Sequence, residues 1–462
     1  MKYVFFAYEA YPLPLAKHLQ DEGNEVLIGI VRRLTQLNLP DTKDEETMEN
    51  RMRRLRVYDG LLYKESSNAV LDRLRMVTPK ERNNYFIFFD YNNMYNIAEQ
   101  VLAMGFRNGL FPTEYYYQME KDRPKAKNFV KQNCPDIKVA ASHDFKSVKD
   151  GIKFLNQTKD AFVLKSNGDH ANTKVPKTDD PEKAKKMLIE ALQEDRQGYE
   201  KGGFLLEEKI DDCLEVTPVM VFYNGKPVYS LVEFENKELG AGNVGMQMGG
   251  NLALSVKTPM DCALNRMAFP KAIHDLASKQ PGLSVYDMGL LYNGKDFYFT
   301  EFCAMRFGWD GIFSEMVMRD DGKPFVTKYF EDVIKGKNPL LNAFGASVRL
   351  FNLNGSLDTL YTSEDDVAVE WPAEIERNLF LYRIKKVKEK IVSVGGYSML
   401  GAATGASNVL ETAVGKVYEV VDAVSYDTKY FRPKFDFLSL DYKSSILNRY
   451  SAMKKFIEEE KK

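Results

Sequence analysis

The chain has 462 residues, of which 64 are Lys or Arg and 66 Asp or Glu, for a net charge of −2. That length calls for about two to four packed units rather than one core. With 28% charged and 12% aromatic residues, the composition is that of a folded chain, and nothing in it calls for nucleic acid or a membrane surface.

Cys134, Cys213, Cys262 and Cys303 lie far apart with no CxxC spacing, which argues against zinc or a disulfide framework. The start, MKYVFFAYEAYPLP, lacks the long apolar region and cleavage site of a signal peptide. No stretch reaches the roughly 18 apolar residues of a membrane helix. A cytoplasmic protein is expected.

In chain order, residues 2–8 (KYVFFAY) predict a buried strand, 12–20 a short helix and 25–31 (EVLIGIV) a second buried strand. This order predicts a parallel sheet with the first strand central. The turn between them has no glycine fingerprint for a dinucleotide. The run RMRRLR, from Arg51 to Arg56, is either a solvated helix face or a phosphate-binding patch. Residues 85–89 (YFIFF) predict another buried strand. Asp90 and Asn92 follow at its carboxyl end, where open parallel sheets bind ligands. Residues 96–104 read as the next helix.

Residues 121–132 predict a basic helix bearing Arg123, Lys125, Lys127 and Lys131. Residues 161–165 (AFVLK) predict a strand ending on Lys165, before the loop SNGDHANTK. A lysine there can meet phosphates while loop amides close over them, or it can simply reach into water. After a helix over 181–195, residues 203–208 (GFLLEE) predict a strand ending in Glu207 and Glu208. A hairpin follows over 214–234, turning at Asn224 and Gly225, with Glu215 near its start. Residues 235–251 (ENKELGAGNVGMQMGGN) read as a glycine-rich loop, which either lets backbone approach a ligand closely or merely connects. Residues 267–279 predict an amphipathic helix.

A second hairpin is predicted over 289–302, turning at Asn293 and Gly294 and delivering Glu301 at the end of an aromatic strand. Arg306 follows in a glycine-bearing turn. A carboxylate on a buried strand with an arginine just beyond suits a magnesium–nucleotide site: oxygen binds the hard cation and the guanidinium pairs with phosphate. A strand end capped by an ion pair is the plainer alternative. Further helix is expected over 312–336. The last third predicts a small α+β unit, with strands over 346–353, 379–384 and 391–394, a small-residue turn over 401–405 and a helix over 408–421. Residues 385–390 (KKVKEK) read as a solvated hairpin tip, and 444–462 as a charged helix capped by Ser445.

The order of these parts resembles the ATP-grasp ligases, and more narrowly the phosphoribosylamine–glycine ligase family. Glu301 and Phe302 with Arg306, Phe307 and Gly308 resemble that family's E-F-N-x-R-F-G. Residues 203–217 resemble its hinge, and 398–432 its C-terminal unit. The resemblance implies an α/β and α+β multidomain fold: a Rossmann-like domain over 1–120, an ATP-grasp domain over 121–340, a small α+β domain over 341–440 and the charged helix over 441–462. It implies an ADP-forming ligase that joins a small-molecule carboxylate and amine through an acyl phosphate. The implied cofactors are ATP and Mg2+, with Mn2+ as an alternative; the implied state is monomer or homodimer, and the setting purine biosynthesis.

By position, Arg123 and Lys165 would hold ATP phosphates, with Lys174 beyond the flap. Glu207, Glu208 and Ile210 would frame the adenine, and Glu215 would face ribose or metal. Glu301 would ligate magnesium, helped by Asp287 or Asp310, and Arg306 would hold the acyl phosphate or the phosphates; Lys165, Glu301 and Arg306 form the catalytic set. Asn243, Gly249, Gly250 and Asn251, with Asp90 and Asn92, would contact substrate. The departures fall mainly on the substrate side. The family's metal-binding asparagine falls on Cys303, a poor magnesium ligand, its flap is reduced to Gly168, and its N-T-G-G-M-G becomes QMGGNL. Two alternatives therefore stand: the same chemistry on another amine or amino acid, as in making a modified nucleotide, or a nucleotide-binding sensor or scaffold without catalysis.

Overall fold

The computed structural model describes residues 1–8, 11–32, 48–167, 173–176, 178, 180–303, 309–322, 324–355, 357, 360, 363–438 and 445–458, the side chains of Trp309 and Asp310 excepted. The chain divides into two compact units. One comprises Met1–Glu114, Val216–Asp287 and Met305–Lys462, the other Tyr115–Glu215 and Met288–Ala304.

The first unit opens on a four-stranded parallel sheet ordered Glu65–Ser66, Glu25–Ile30, Lys2–Ala7, Tyr85–Phe89. Lys2–Ala7 is central, as its sequence predicts. Tyr3, Val4, Phe5, Phe6, Phe86 and Ile87 have no exposed surface, the near-continuous burial of a strand covered on both faces. Phe5 stacks on Phe88 at 4.6 Å and Phe6 on Phe89 at 5.2 Å. The RMRRLR run lies on the helix Met48–Arg56. Arg54 in it is buried, donating to the carbonyls of Tyr8 at 2.7 Å and Arg32 at 3.0 Å, 4.0 Å above the Tyr8 ring. This arginine is structural, not solvated.

An antiparallel run of strands, in the same unit from Val216 onward, is ordered Leu379–Leu381, Met399–Ser407, Phe344–Asn352, Val244–Thr258, Lys226–Gly240, Leu214–Tyr223. Several sequence expectations change here. Residues 235–251 form no open loop: they belong to a long hairpin, Lys226–Gly240 against Val244–Thr258. Gly245 and Gly249 take positive φ (82° and 79°), and the register shifts at Glu238, so the glycines serve bulged, left-handed positions within a ladder. Residues 401–405 form no turn but lie inside the strand Met399–Ser407. A Cβ on Gly405 would come 2.7 Å from the Ala413 carbonyl oxygen, so smallness there admits the helix Leu410–Ala423. Pro270 breaks the helix expected over 267–279 into Ala263–Ala268 and Lys271–Ala277. Residues 379–384 split between Leu379–Leu381 and the separate hairpin Ile384–Val387 with Lys390–Ser393. Residues 386–390 form an exposed hairpin tip, as expected, but Lys385 at its base is buried, 3.0 Å from Asp365 and 2.6 Å from Asp366.

The second unit is built on an antiparallel sheet ordered Ser142–Phe145, Phe204–Glu208, Phe162–Ser166. Phe162, Leu164, Phe204 and Leu206 pack with Val148, Leu155, Leu188, Leu192 and Tyr199 into one core. These partners come from the helices Val148–Gln157, Pro181–Glu194 and Arg196–Gly202. Period two then sends Val163, Lys165, Leu205 and Glu207 to the opposite face. In the same unit Phe297–Phe302 pairs antiparallel with residues 288–292 and parallel with Ile137–Val139. The helix Arg123–Asn133 starts where Asp122 accepts from the Lys125 amide at 3.0 Å, with Pro124 in its first turn. Among the described residues, no helix is long and apolar enough to cross a membrane.

Candidate active site

The second unit concentrates charge on the sheet face away from its core. Lys165 pairs across the strands with Leu205, and Val163 with Glu207, so Lys165 and Glu207 are diagonal neighbours on one face. The Lys165 Nζ lies 2.7 Å from Glu207 Oε1. Lys127, from the helix Arg123–Asn133, makes a short ion pair to the other oxygen, Oε2. All three side chains are buried, between 5% and 11% exposed. Burial alone would push the Glu207 carboxyl up, but the two ammonium groups outweigh it and hold it below the usual carboxylate range. Burial lowers Lys127, partly offset by Glu207.

One turn before Lys127, Arg123 donates through Nε to the Ser166 carbonyl at 3.2 Å, and its Nη1 lies 3.4 Å from Glu301 Oε2. Glu301 is 41% exposed and sits opposite Gly289 in the hairpin. A Cβ at Gly289 would meet Thr300 Oγ1 at 2.4 Å, so that glycine makes room for the hydroxyl next to Glu301 in the chain. Lys174 is exposed, but its backbone exchanges hydrogen bonds of 2.8 and 3.0 Å with Leu164, extending the Lys165 strand's edge. Glu208 is exposed at the strand end, its amide donating to the Ala141 carbonyl at 2.8 Å, and Ile210 and Glu215 are half-buried. Beside the Arg123 helix is a cleft of about 440 Å³, with Lys121, Asp122, Lys146 and Asn167 among its lining.

The predicted nucleotide set thus falls in one unit: Arg123, Lys165, Lys174, Glu207, Glu208, Ile210, Glu215 and Glu301. The predicted substrate set, with Asp287, falls in the other. There Asp90 is fully buried and accepts from the Tyr8 amide at 3.0 Å, and Asn92 is buried beside it in the chain. Asn243 has φ 59° and accepts from Arg432 Nη2 at 2.7 Å. Gly249 is exposed and Gly250 buried, a Cβ on the latter meeting Glu235 Oε1 at 2.7 Å. Asn251 is buried, donating to the Glu238 and Leu239 carbonyls at 2.9 and 3.1 Å. Arg306 and Gly168 lie outside the described residues, as does the Asp310 side chain.

Sequence reasoning missed two features. Lys127 was read only as part of a basic helix, although its spacing of four from Arg123 puts the two on one helix face. In the first unit, buried Glu233 and Glu315 have no motif to announce them. Glu315 takes hydrogen bonds from Tyr229 and, at 3.2 Å, from Tyr329, and burial pushes it up to about 8. Burial, then Glu235, Glu315 and Asp287, raise Glu233 well above the usual carboxylate range. A further cavity of about 210 Å³ in this unit is walled largely by apolar groups, with Tyr58 and Trp371. Its lysine, Lys17, is already paired with Asp21 at 2.5 Å, so it offers little to a phosphate.

No set of three or more His, Cys, Asp or Glu side chains poised to hold a metal occurs among the described residues. Magnesium needs none, since it commonly takes one or two carboxylates and completes its shell with phosphate oxygens and water. Glu301, accessible and on a rigid strand, suits that role, and the buried lysines suit an anion.

No protein-family model matches the sequence, and no curated protein matches it. Solved structures do resemble the fold. Phosphoribosylamine–glycine ligase from Thermotoga maritima is 15% identical, with a TM-score of 0.63 over 94% of this chain and 99% of its own. Biotin carboxylase from Campylobacter jejuni, in complex with β-γ-ATP, is 14% identical (TM-score 0.56; 93% and 92%). The biotin carboxylase domain of Hydrogenobacter thermophilus 2-oxoglutarate carboxylase, with MgADP and bicarbonate, is 10% identical (TM-score 0.58; 93% and 91%). The fold of this chain is that of the ATP-grasp ligases.

Proposed function

We propose that the protein is an ATP-dependent, ADP-forming ligase that joins a carboxylate to an amine, with phosphoribosylamine and glycine as the first pair to test. The carrying observation is the gathering of Arg123, Lys127, Lys165, Glu207 and Glu301 within one unit. ATP with Mg2+ supplies the phosphoryl group that makes a carboxylate reactive towards an amine. Lys165 and Arg123 neutralise the phosphate oxygens, and Glu301 supplies the protein's oxygen ligand to the metal. Glu207, Glu208 and Ile210 frame the base, Glu215 faces the ribose or the metal, and Lys174 also binds the nucleotide. Arg306 holds the acyl phosphate. In the other unit Asp90, Asn92, Asn243, Gly249, Gly250 and Asn251 contact the substrates, and Asp287 assists the metal. The division into Rossmann-like, ATP-grasp and closing α+β domains, a place in purine or modified-nucleotide synthesis, and a cytoplasmic monomer or homodimer belong to the same reading.

Cys303 favours a second reading, nucleotide binding without turnover, because a thiol is a poor magnesium ligand. Single-turnover reactions with ATP, Mg2+ and a panel of amines and carboxylates separate the two. ADP release that requires both an amine and a carboxylate establishes the ligase. Tight MgATP binding with no release under any pairing establishes the second reading.

A further inference from the structure

We propose that Lys127 is a positioning residue that frees Lys165 for the nucleotide, by remaining as the counterion of Glu207 when Lys165 leaves it. The proposal rests on the reading of this unit as a nucleotide site.

Glu207 is shared between two lysines, one to each oxygen: Lys165 to Oε1 at 2.7 Å and Lys127 to Oε2. The acid is 7% exposed, so water cannot compensate its charge. If Lys165 is to reach a phosphate it must part from Oε1, and a lone buried carboxylate would pull it back, since removing one partner of a buried pair leaves an uncompensated charge. With Lys127 in place that charge stays matched. The two lysines differ in what holds them. Lys165 stands next to the end of its strand, immediately before Ser166 and Asn167. Lys127 projects from the middle of a capped helix, where the same helix also holds the strand end through Arg123 and the Ser166 carbonyl at 3.2 Å. The mobile cation is therefore Lys165, and the resident one Lys127.

The test is a double-mutant cycle on the full chain, titrating ATP with Mg2+ by calorimetry. Lys127→Met is expected to weaken binding at least tenfold, and Lys127→Arg to restore most of it. Adding Glu207→Gln to Lys127→Met is expected to bring affinity back to that of Glu207→Gln alone, because no charge is left to hold Lys165 and any contact of Glu207 with the base is lost equally in both. A role confined to packing predicts the opposite, losses that add. Should Lys127→Met fold poorly, Glu207→Gln and Lys127→Met/Glu207→Gln remain comparable, and they are expected to bind within twofold of each other. Wild-type affinity in Lys127→Met, additive losses, or a tenfold gap between those two variants overturns the proposal. If the wild type itself binds no MgATP, the nucleotide reading falls and the proposal with it, a result distinct from loss confined to the variants.

Discussion

Glu315 carries its proton where an ordinary carboxylate would not. Burial raises it to about 8, against the hydroxyls of Tyr229 and Tyr329, while in the unfolded chain a glutamate titrates near 4.3. Between roughly pH 4.3 and 8 the native state therefore binds a proton that the unfolded state has lost. Stability is fully present below that window and declines as pH rises through it. Glu233, raised mainly by burial, acts in the same direction. Glu315→Gln is thus expected to flatten the fall in urea-unfolding free energy between pH 5 and 8; an unchanged slope would refute the assignment. Glu301 makes the contrasting case. Half in solvent, it should be removable as Glu301→Ala with little loss of stability, about 0.5 kcal/mol or less. ADP formation should meanwhile fall by about 100-fold or more, the loss of several kcal/mol of electrostatic stabilisation. Arg123 stood out only through the family resemblance, on a helix expected over 121–132, but the strand ends at Lys165 and Glu301 were legible in the local pattern of apolar and turn residues. Lys127 was not, because its partner Glu207 lies 80 residues away and only the fold brings them together.

Elements were most readable where turn chemistry fixed them. Asn224 with Gly225 and Asn293 with Gly294 both lie between paired strands, and Ser445 caps the helix Ile446–Ile457 by accepting from the Asn448 amide at 3.3 Å. Small residues misled, because composition cannot tell a turn from a close approach. At Gly405 the approach is by a helix backbone, 2.7 Å from the Ala413 oxygen and 2.8 Å from the Val417 nitrogen. Gly405→Ala is therefore expected to cost about 1–3 kcal/mol, read as a shifted urea midpoint with unchanged slope. At the hairpin apex the anchor is a buried ion pair. Arg432 and Asp436, both at 0% exposure and 2.8 Å apart, also bind Asn243 and the Gly242 amide. Asp436→Ala leaves Arg432 uncompensated, an expected loss of about 3–5 kcal/mol.

For the whole molecule, each unit draws its core from segments far apart in sequence. Parallel pairing of Lys2–Ala7 with its neighbours could be inferred from a strand–helix–strand order. Which later segments join that unit could not, because long-range packing leaves no local periodicity. The residues proposed to bind nucleotide share one unit, so ligand stabilisation should act there. MgATP at 100 times its Kd is expected to add about 2.7 kcal/mol, raising Tm by several degrees in differential scanning calorimetry. The shift should vanish in Lys165→Met.

The Arg432 clamp also bears on how the chain is made. Its contact to Asn243 spans 189 residues, so the hairpin apex leaves the ribosome long before its anchor has been translated. At about 5–20 residues per second, that interval is roughly 10 to 40 s, during which a β-ribbon with bare edges must be kept from other nascent chains. A message ending before codon 432 would yield a polypeptide whose ribbon never acquires its latch, a natural target for chaperones and proteases.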